Sequence, residues 1–471
     1  MGRVHGTEYV PVPEYTMSLK LPRRRALRAV LYFTLFLAFV GAGRLAQKTY
    51  DSYWWFGDRG PYLQMPAPTA MNVRWETAQP GTGRVRYGLA QDRLEHVVAG
   101  APEAYVHEVR LEGLQPDTRY YYQVEVEGRD FMAEPAWFIT PPAAGSDVPT
   151  RLWAIGDSGL PGKGQDRMRD AALAWMAANP RSTRPLMDIW LALGDNAYTS
   201  GRNREFQVAL FQPFAGVLRH VPLWAVYGNH DARRWVHYDI FSLPENAESG
   251  GVASGTESWY SFDHGPVHVA VLDSEAHADS DAMLRWLEQD LAADRSAWRI
   301  VALHHPAYSR GGHDSDDRWD SGGRMFDVRE RILPVLEAAG VDVVLAGHSH
   351  VYQRSHLLAC HYGRSAELAD GMILGRGRLG AVFQKHAPGP VAHDGAVHVV
   401  MGSSSKLDGG PLDHPAHAVS LRELGSVIID VVGQRLDARF INADGEVRDH
   451  FTIVKGAGKP RTGTCARQTT S

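Results

Sequence analysis

The sequence predicts an α/β core over residues 151–455, preceded by a small all-β domain over residues 59–142. Three observations carry that reading. Five short apolar runs, each followed by polar residues with metal-ligand chemistry, recur between residues 152 and 350 and are interleaved with helical patterns. Between residues 60 and 126 the rhythm changes to apolar and polar residues alternating with period two. At 471 residues, with 44% hydrophobic content and 13 Trp, the chain is long for one domain and comfortable for two plus tails.

Residues 1–28 form a basic head, in which Arg3, Lys20, Arg23, Arg24, Arg25 and Arg28 are opposed only by Glu8 and Glu14. Residues 29–43 then carry no charge. A basic segment followed by an apolar one directs export, with the basic side left in the cytoplasm. Residues 29–46 are therefore expected to act as a signal sequence or membrane anchor, placing the remainder in the periplasm or outside the cell. Val40-Gly41-Ala42 offers a small-residue cleavage site and Arg23-Arg24-Arg25 a loose twin-arginine pattern. The length of the basic head favours an uncleaved anchor.

In residues 59–142, Met71, Val73 and Trp75 alternate with Asn72, Arg74 and Glu76, and Tyr120, Tyr122, Val124 and Val126 alternate with polar neighbours. Such runs, broken by turns such as Gln115-Pro116-Asp117, predict a small antiparallel sandwich. Pro141 to Pro149, rich in Pro, Ala and Gly, reads as a linker.

In residues 151–455, Leu152–Ile155, Ile189–Leu193, Leu223–Tyr227, Ile300–Leu303 and Val341–Ala346 predict strands buried on both faces. One helix is expected to start at Ser280, with Met283, Leu284, Trp286, Leu287 and Leu291 on its apolar face. Another runs from Val328 to Ala339 and stops at Gly340. Asp370 to Pro388, glycine-rich and charged, is expected to be a surface loop, and residues 456–471 a tail. Cys360 and Cys465 are able to pair in an oxidising compartment, though nothing in the sequence decides it. A net charge of −5 argues against a nucleic-acid partner.

The apolar runs lead into Asp157-Ser158-Gly159, Gly194-Asp195-Asn196-Ala197-Tyr198, Gly228-Asn229-His230-Asp231, Leu303-His304 and Gly347-His348-Ser349-His350. Polar residues at the carboxyl ends of such strands converge on one crevice. Asp157, Asp195, Tyr198, Asn229, His304, His348 and His350 supply hard oxygens, imidazoles and a carboxylate able to bridge, enough to hold two cations side by side. Taken singly, an aspartate after a strand is usually a cap or turn former, and a tyrosine a packed aromatic. The joint context makes them ligands. His264, His268, His277, His305 and His361 fit no pattern and are taken as structural or solvated, and Asp273 as a structural carboxylate.

The blocks D-x-G, G-D-x-x-Y, G-N-H-[DE], V-x-x-H and G-H-x-H, in this order, resemble those of the purple acid phosphatases within the wider metallophosphoesterases. Pro306, Tyr308, Tyr352 and Arg354 extend the likeness. Gly60-Pro61-Tyr62-Leu63-Gln64, Trp75 and the segment from Leu111 to Tyr122 resemble the fibronectin-III-like amino-terminal domain of the longer members, where it packs and spaces. The resemblance implies a four-layer αββα sandwich. It also implies that Asp157, Tyr198 and His350 hold one ion, that Asn229, His304 and His348 hold the other, and that Asp195 bridges them. A phenolate suits ferric iron, so the expected pair is Fe(III) with Fe(II), Zn(II) or Mn(II).

The implied activity is hydrolysis of small phosphate monoesters at acidic pH by a metal-generated hydroxide. His313, nine residues after His304, is assigned as proton donor and His230 as oxyanion support. Asp314 stands where plant members often carry a second histidine, which opens the question of that loop's substrate preference. The alternatives are a phosphodiesterase or nucleotidase on the same ions and a non-catalytic surface-binding protein. A ligand set with no member missing disfavours the latter.

Overall fold

Period-two alternation becomes an antiparallel sandwich because successive side chains point to opposite faces of a strand. The computed structural model describes residues 23–53, 57–181, 184–233, 235–275, 281–458 and 465. Residues 1–22 of the basic head, Ser280, His277 and most of the tail lie outside the described residues. Arg59–Ala67, Ala70–Gly81 and Ala104–Glu112 form one sheet. Gly83–Gly88, His96–Ala99, Arg119–Val126, Arg129–Asp130 and Ala136–Ile139 form the other. Met71, Val73, Trp75, Val109, Leu111, Tyr122 and Val124 fill the space between them.

The polar residues of the same strands do not all face water. Arg59 is fully buried, and its Nε donates to Gln207 Oε1 at 2.9 Å while its other nitrogens donate to Glu76 and Asn203. Arg74 Nη1 donates to Ser242 Oγ at 2.6 Å, Tyr62 Oη to the Ile240 carbonyl at 2.8 Å, and Tyr122 Oη to the Arg219 carbonyl at 2.8 Å. The sandwich and the α/β core are therefore joined through a desolvated polar seam, and from Ser52 onward the chain is one unit.

The core carries two sheets face to face. In the first, Leu223–Ala225, Ile189–Ala192 and Thr150–Ile155 run parallel, followed by the antiparallel strands Gly425–Val432, Arg435–Asn442 and Val447–Val454. In the second, Val267–Val271, Trp298–Leu303, Val343–Ala346 and Ala396–Met401 run parallel, flanked by antiparallel Tyr260–His264 and Tyr352–Leu358. Leu152, Ile155, Leu191, Ile300, Val343 and Val397 belong to one buried cluster between the sheets. Helix Lys163–Ala178 packs Met168, Ala172 and Met176 against the first sheet. Asp281–Ala293 and the helical stretch Arg324–Ala338 cover the second through Met283, Trp286, Leu287, Val328 and Leu336. This is the expected α/β sandwich. Gly340 ends the second of these stretches with φ 68°.

Two expectations change. Asp370 to Pro388 is not only loop: Ile373–Gly375 pairs with Tyr352–Leu358, and Ala381–Gln384 with Val447–Val454. Strands of three or four residues are too short to show a period, and buried Phe383 seats the second. The other concerns the amino terminus, where Arg23–Tyr53 forms one helix, whose residues up to Asp51 belong to a separate unit. Its uncharged run of residues 29–43 rises about 22 Å at 1.5 Å per residue, short of an apolar bilayer core of about 30 Å. Among the described residues no helix is long and apolar enough to cross a membrane, so the expected anchor is not supported.

Cys360 and Cys465 form a disulfide with Cα atoms 5.3 Å apart, closing a span of 105 residues and fixing Cys465 to the body. The chain-entropy account gives such a closure about 4.7 kcal/mol.

Arg59→Leu would leave Glu76 buried without its cation, a change that costs about 3–5 kcal/mol. Denaturant unfolding should show that loss; a cost below about 1 kcal/mol, the range of exposed pairs, would contradict the seam.

Near Tyr308, burial holds His361 down to about 4 and His398 and His414 to about 3, with ring nitrogens that find no partner among the described residues. A histidine depressed in the folded state contributes stability that is present above its unfolded value of about 6.5 and lost as pH falls towards the folded value. Each residue gives up about 1.4 kcal/mol per pH unit in that window. Unfolding free energy should fall steeply between pH 6.5 and 5.5, and a flat profile would contradict the assignment.

Candidate metal centre

Parallel strands place their carboxyl ends on one side, and each ligand block follows such an end: Asp157 after Thr150–Ile155, Asp195 after Ile189–Ala192, Asn229 after Leu223–Ala225, His304 after Trp298–Leu303 and His348 after Val343–Ala346. The turns are tight. Asp157, Asp195 and His348 have φ of 55°, 53° and 68°, a left-handed conformation that costs a non-glycine residue about 1–3 kcal/mol. A Cβ on Gly228 would lie 2.1 Å from the Asp195 nitrogen, and one on Gly347 would lie 2.6 Å from Asp157 Oδ2. Glycine is required there by close approach.

The structure brings all seven sequence-predicted donors together in two adjoining groups. In the first, Tyr198 Oη lies 2.9 Å from Asp157 Oδ1 and 3.2 Å from His350 Nε2, and His350 Nε2 lies 3.2 Å from Asp157 Oδ1. In the second, Asn229 Oδ1 lies 3.1 Å from both His304 Nε2 and His348 Nδ1. Asp195 adjoins both: its Oδ1 is 3.5 Å from His304 Nε2, and its carboxylate is a hydrogen-bonding neighbour of Tyr198. The His348 amide donates to Asp157 Oδ2 at 2.7 Å, tying the groups to each other.

Their protonation states test whether cations fit. His304 Nδ1 sits 2.8 Å from the Leu193 carbonyl, which can only accept, so Nδ1 carries a proton. Nε2 faces the oxygens of Asn229 and Asp195, the position from which it would ligate a metal ion once its own proton is displaced. His350 repeats the arrangement: Nδ1 donates to the Asp408 carboxylate, and Nε2 faces Asp157 Oδ1. Burial and the neighbouring Asp157 and Asp195 hold the Tyr198 phenol well above its ordinary pKa, and burial among His305 and His304 keeps His348 neutral. Tyr198 donates to Asp157, and the carboxylates of Asp195 and Asp157, against the effect of burial, hold His304 and His350 above the ordinary imidazole value, so protons here join ligand atoms that metal ions would share when bound. The donor set fits two metal ions.

His313 stacks on His348 with ring centroids 3.9 Å apart, and its Nδ1 lies 2.8 Å from Asp320 Oδ1. His230 sits edge-on to Tyr198 at 4.6 Å, with Nδ1 donating to the Thr199 carbonyl at 2.7 Å. Both border the donor set. Asp314 accepts from the Asp316 amide and lies 3.6 Å from Arg310, so its charge is locally paired. Asp273 accepts from the Glu275 amide, as a structural carboxylate does. His268 is clamped between Asp263 and Asp290 at 2.7 and 2.8 Å. His305 is more than structural filler: it packs against His348 at 4.3 Å and lines a cavity of about 420 Å³ with Asn229, His313, Ser321 and Arg324.

Sequence reasoning missed the residues that orient these ligands. Asp408 holds His350, Asp320 holds His313, and Ser321 Oγ lies 2.6 Å from His348 Nε2. A signal for Asp408 existed, since Ala396–Met401 is a sixth apolar run ending in glycine.

Residues 150–352 match the family described as Calcineurin-like phosphoesterase, and residues 59–140 the Purple acid Phosphatase N-terminal domain. With the fold and the donor set, this makes the chain a metallophosphoesterase, a hydrolase with a dinuclear metal centre. Carrying both domains in this order, it belongs to the purple acid phosphatases. A purple acid phosphatase of Glycine max is 26% identical over 373 residues, covering 72% of this chain and 70% of that protein. The Fe(3+)-Zn(2+) purple acid phosphatase 12 of Arabidopsis thaliana is 26% identical, covering 60% of this chain and 61% of its own length. The structure of purple acid phosphatase PPD1 from yellow lupin (Lupinus luteus) seeds shares the fold, with TM-score 0.66 at 16% identity over 85% of this chain and 75% of that one.

Asp408→Asn should keep the fold but weaken metal binding about 10–100-fold, the usual effect of losing a carboxylate that orients a ligating imidazole. Competition against a chelator measures it, and unchanged affinity would remove Asp408 from the site.

Proposed function

We propose that this chain hydrolyses small phosphate monoesters at a centre in which Asp157, Tyr198 and His350 hold one ion, Asn229, His304 and His348 hold the second, and Asp195 bridges them. The observation that carries the reading is the convergence of ligand-type nitrogen and oxygen atoms from His304, His350, Asn229 and Asp195 on one buried hollow. Two cations so held would supply a nucleophile at a pH where free water is inert and neutralise the phosphoryl oxygens. Tyr198, a hard oxygen donor, suits iron in the trivalent state beside iron, zinc or manganese in the divalent state, and the Fe(3+)-Zn(2+) relative supports that pairing.

His313 is assigned as the proton donor to the leaving group. Asp320 orients its imidazole from Nδ1, which leaves Nε2 for the substrate, and the ring borders the cavity beside Asn229 and His348. His230, held by the Thr199 carbonyl, is assigned to support a phosphoryl oxygen. Ser321 and Arg324 line the same cavity, where the alcohol portion would lie. The buried histidines His361, His398 and His414 limit how far pH can fall before the fold gives way.

The basic-then-apolar amino terminus and the disulfide Cys360–Cys465 support export to an oxidising compartment.

Turnover of an aryl phosphate monoester against the diester of the same alcohol tests the substrate class: a clear monoester preference is expected, and equal or reversed rates would turn the reading to a phosphodiesterase. His313→Ala should keep both metals and slow turnover about 10²–10⁴-fold, most for poor leaving groups. Asp195→Ala should lose metal pairing and hydrolysis together, and full activity in that variant would sink the ligand assignment.

A further inference from the structure

The segment that follows strand Ala396–Met401 supplies none of the seven donors, yet it touches every member of one metal-binding triad. Ser405 Oγ donates to the Asp157 carbonyl. Asp408 accepts from His350 Nδ1, and its amide donates to the His350 carbonyl at 3.1 Å. Lys406 Nζ lies 3.9 Å from the centroid of the Tyr198 ring. The approach is built into the backbone: a Cβ on Gly402 would lie 2.2 Å from the Ser349 carbonyl oxygen and 3.0 Å from Asp157 Oδ2. Ser405 and Asp408 thus anchor the segment on both sides of Lys406.

A cation over an aromatic face is held by the negative potential of the ring. When that ring is a metal-bound phenolate the attraction strengthens, and the lysine becomes a fixed positive charge within one residue of the metal. Such a charge stabilises the filled orbitals of the phenolate more than those of the more distant ion. It also favours the lower oxidation state of the ion it approaches, because electrostatic work against a fixed charge falls when the ion's own charge falls. We propose that Lys406 is a positioning residue that tunes the Tyr198-bound ion, raising its reduction potential and the energy of its phenolate-to-iron transition. The negative charges of Asp157, Asp195 and a Tyr198 phenolate push the other way, and Lys406 offsets them from outside the coordination shell. The inference rests on the ferric assignment proposed above.

The test uses the full-length, metal-loaded protein and compares Lys406→Met, which keeps an unbranched stem but not the charge, with Lys406→Arg, which keeps the charge on a longer stem. Lys406→Met should shift the visible absorption maximum to longer wavelength and lower the midpoint potential, with two metals per chain retained; Lys406→Arg should stay near the wild type. A Lys406→Met protein with both quantities unmoved would overturn the inference, as would a rise in KM alone, which would make Lys406 a substrate contact. Loss of metal from Lys406→Met would overturn it as well, assigning Lys406 to assembly of the site. A wild-type protein that holds two metals and shows no visible band would overturn the ferric assignment and this inference with it. A coloured wild type with an unmoved variant overturns the inference alone.

Discussion

The folded chain forces metal-ligating atoms together. Leu193 and Asp408 hold the Nδ1 sides of His304 and His350, and so aim the Nε2 atoms at oxygens of Asn229, Asp195 and Asp157. A protein that needed only stability would not bury two carboxylates, a phenol and three imidazoles in one hollow, since such groups are costly to desolvate. It would not also hold Asp157, Asp195 and His348 in left-handed backbone conformations. Cations turn both penalties into a binding site, and the two parallel sheet segments exist, functionally, to deliver those side chains from five strand ends to one hollow.

Around that hollow the chain invests in buried polarity elsewhere. Arg59 and Arg74 lock the amino-terminal sandwich to the core through desolvated hydrogen bonds, so the small domain is a structural part of the hydrolase and not a tethered module. His361, His398 and His414 are buried neutral, which ties the stability of the fold to near-neutral pH.

What was legible in the sequence followed from adjacency. Asp157, Asp195, Asn229, His304 and His348 each sit one to four residues beyond a buried apolar strand, so the strand and its ligand announce one another, and the shared end of parallel strands does the rest. The apolar run Ala396–Met401 marks where the segment of Asp408 and Lys406 begins, but not which of its residues matter, because they serve residues more than fifty positions away and the segment carries no ligand of its own. The seam at Arg59 was hidden for a related reason: an arginine on a period-two strand reads as solvent-facing until its partners at Asn203 and Gln207 are folded against it. Strands as short as Ile373–Gly375 have no period to detect. At the amino terminus the basic flank suggests an anchor, whereas the fifteen uncharged residues that follow fall short of a bilayer.

The most direct measurement is anomalous diffraction at metal absorption edges from crystals of protein purified without chelators. Two peaks about 3.5–4 Å apart are expected, one within bonding distance of Tyr198, Asp157 and His350, the other of Asn229, His304 and His348, with Asp195 between them. A single peak, or two peaks lying away from these seven side chains, would contradict the account.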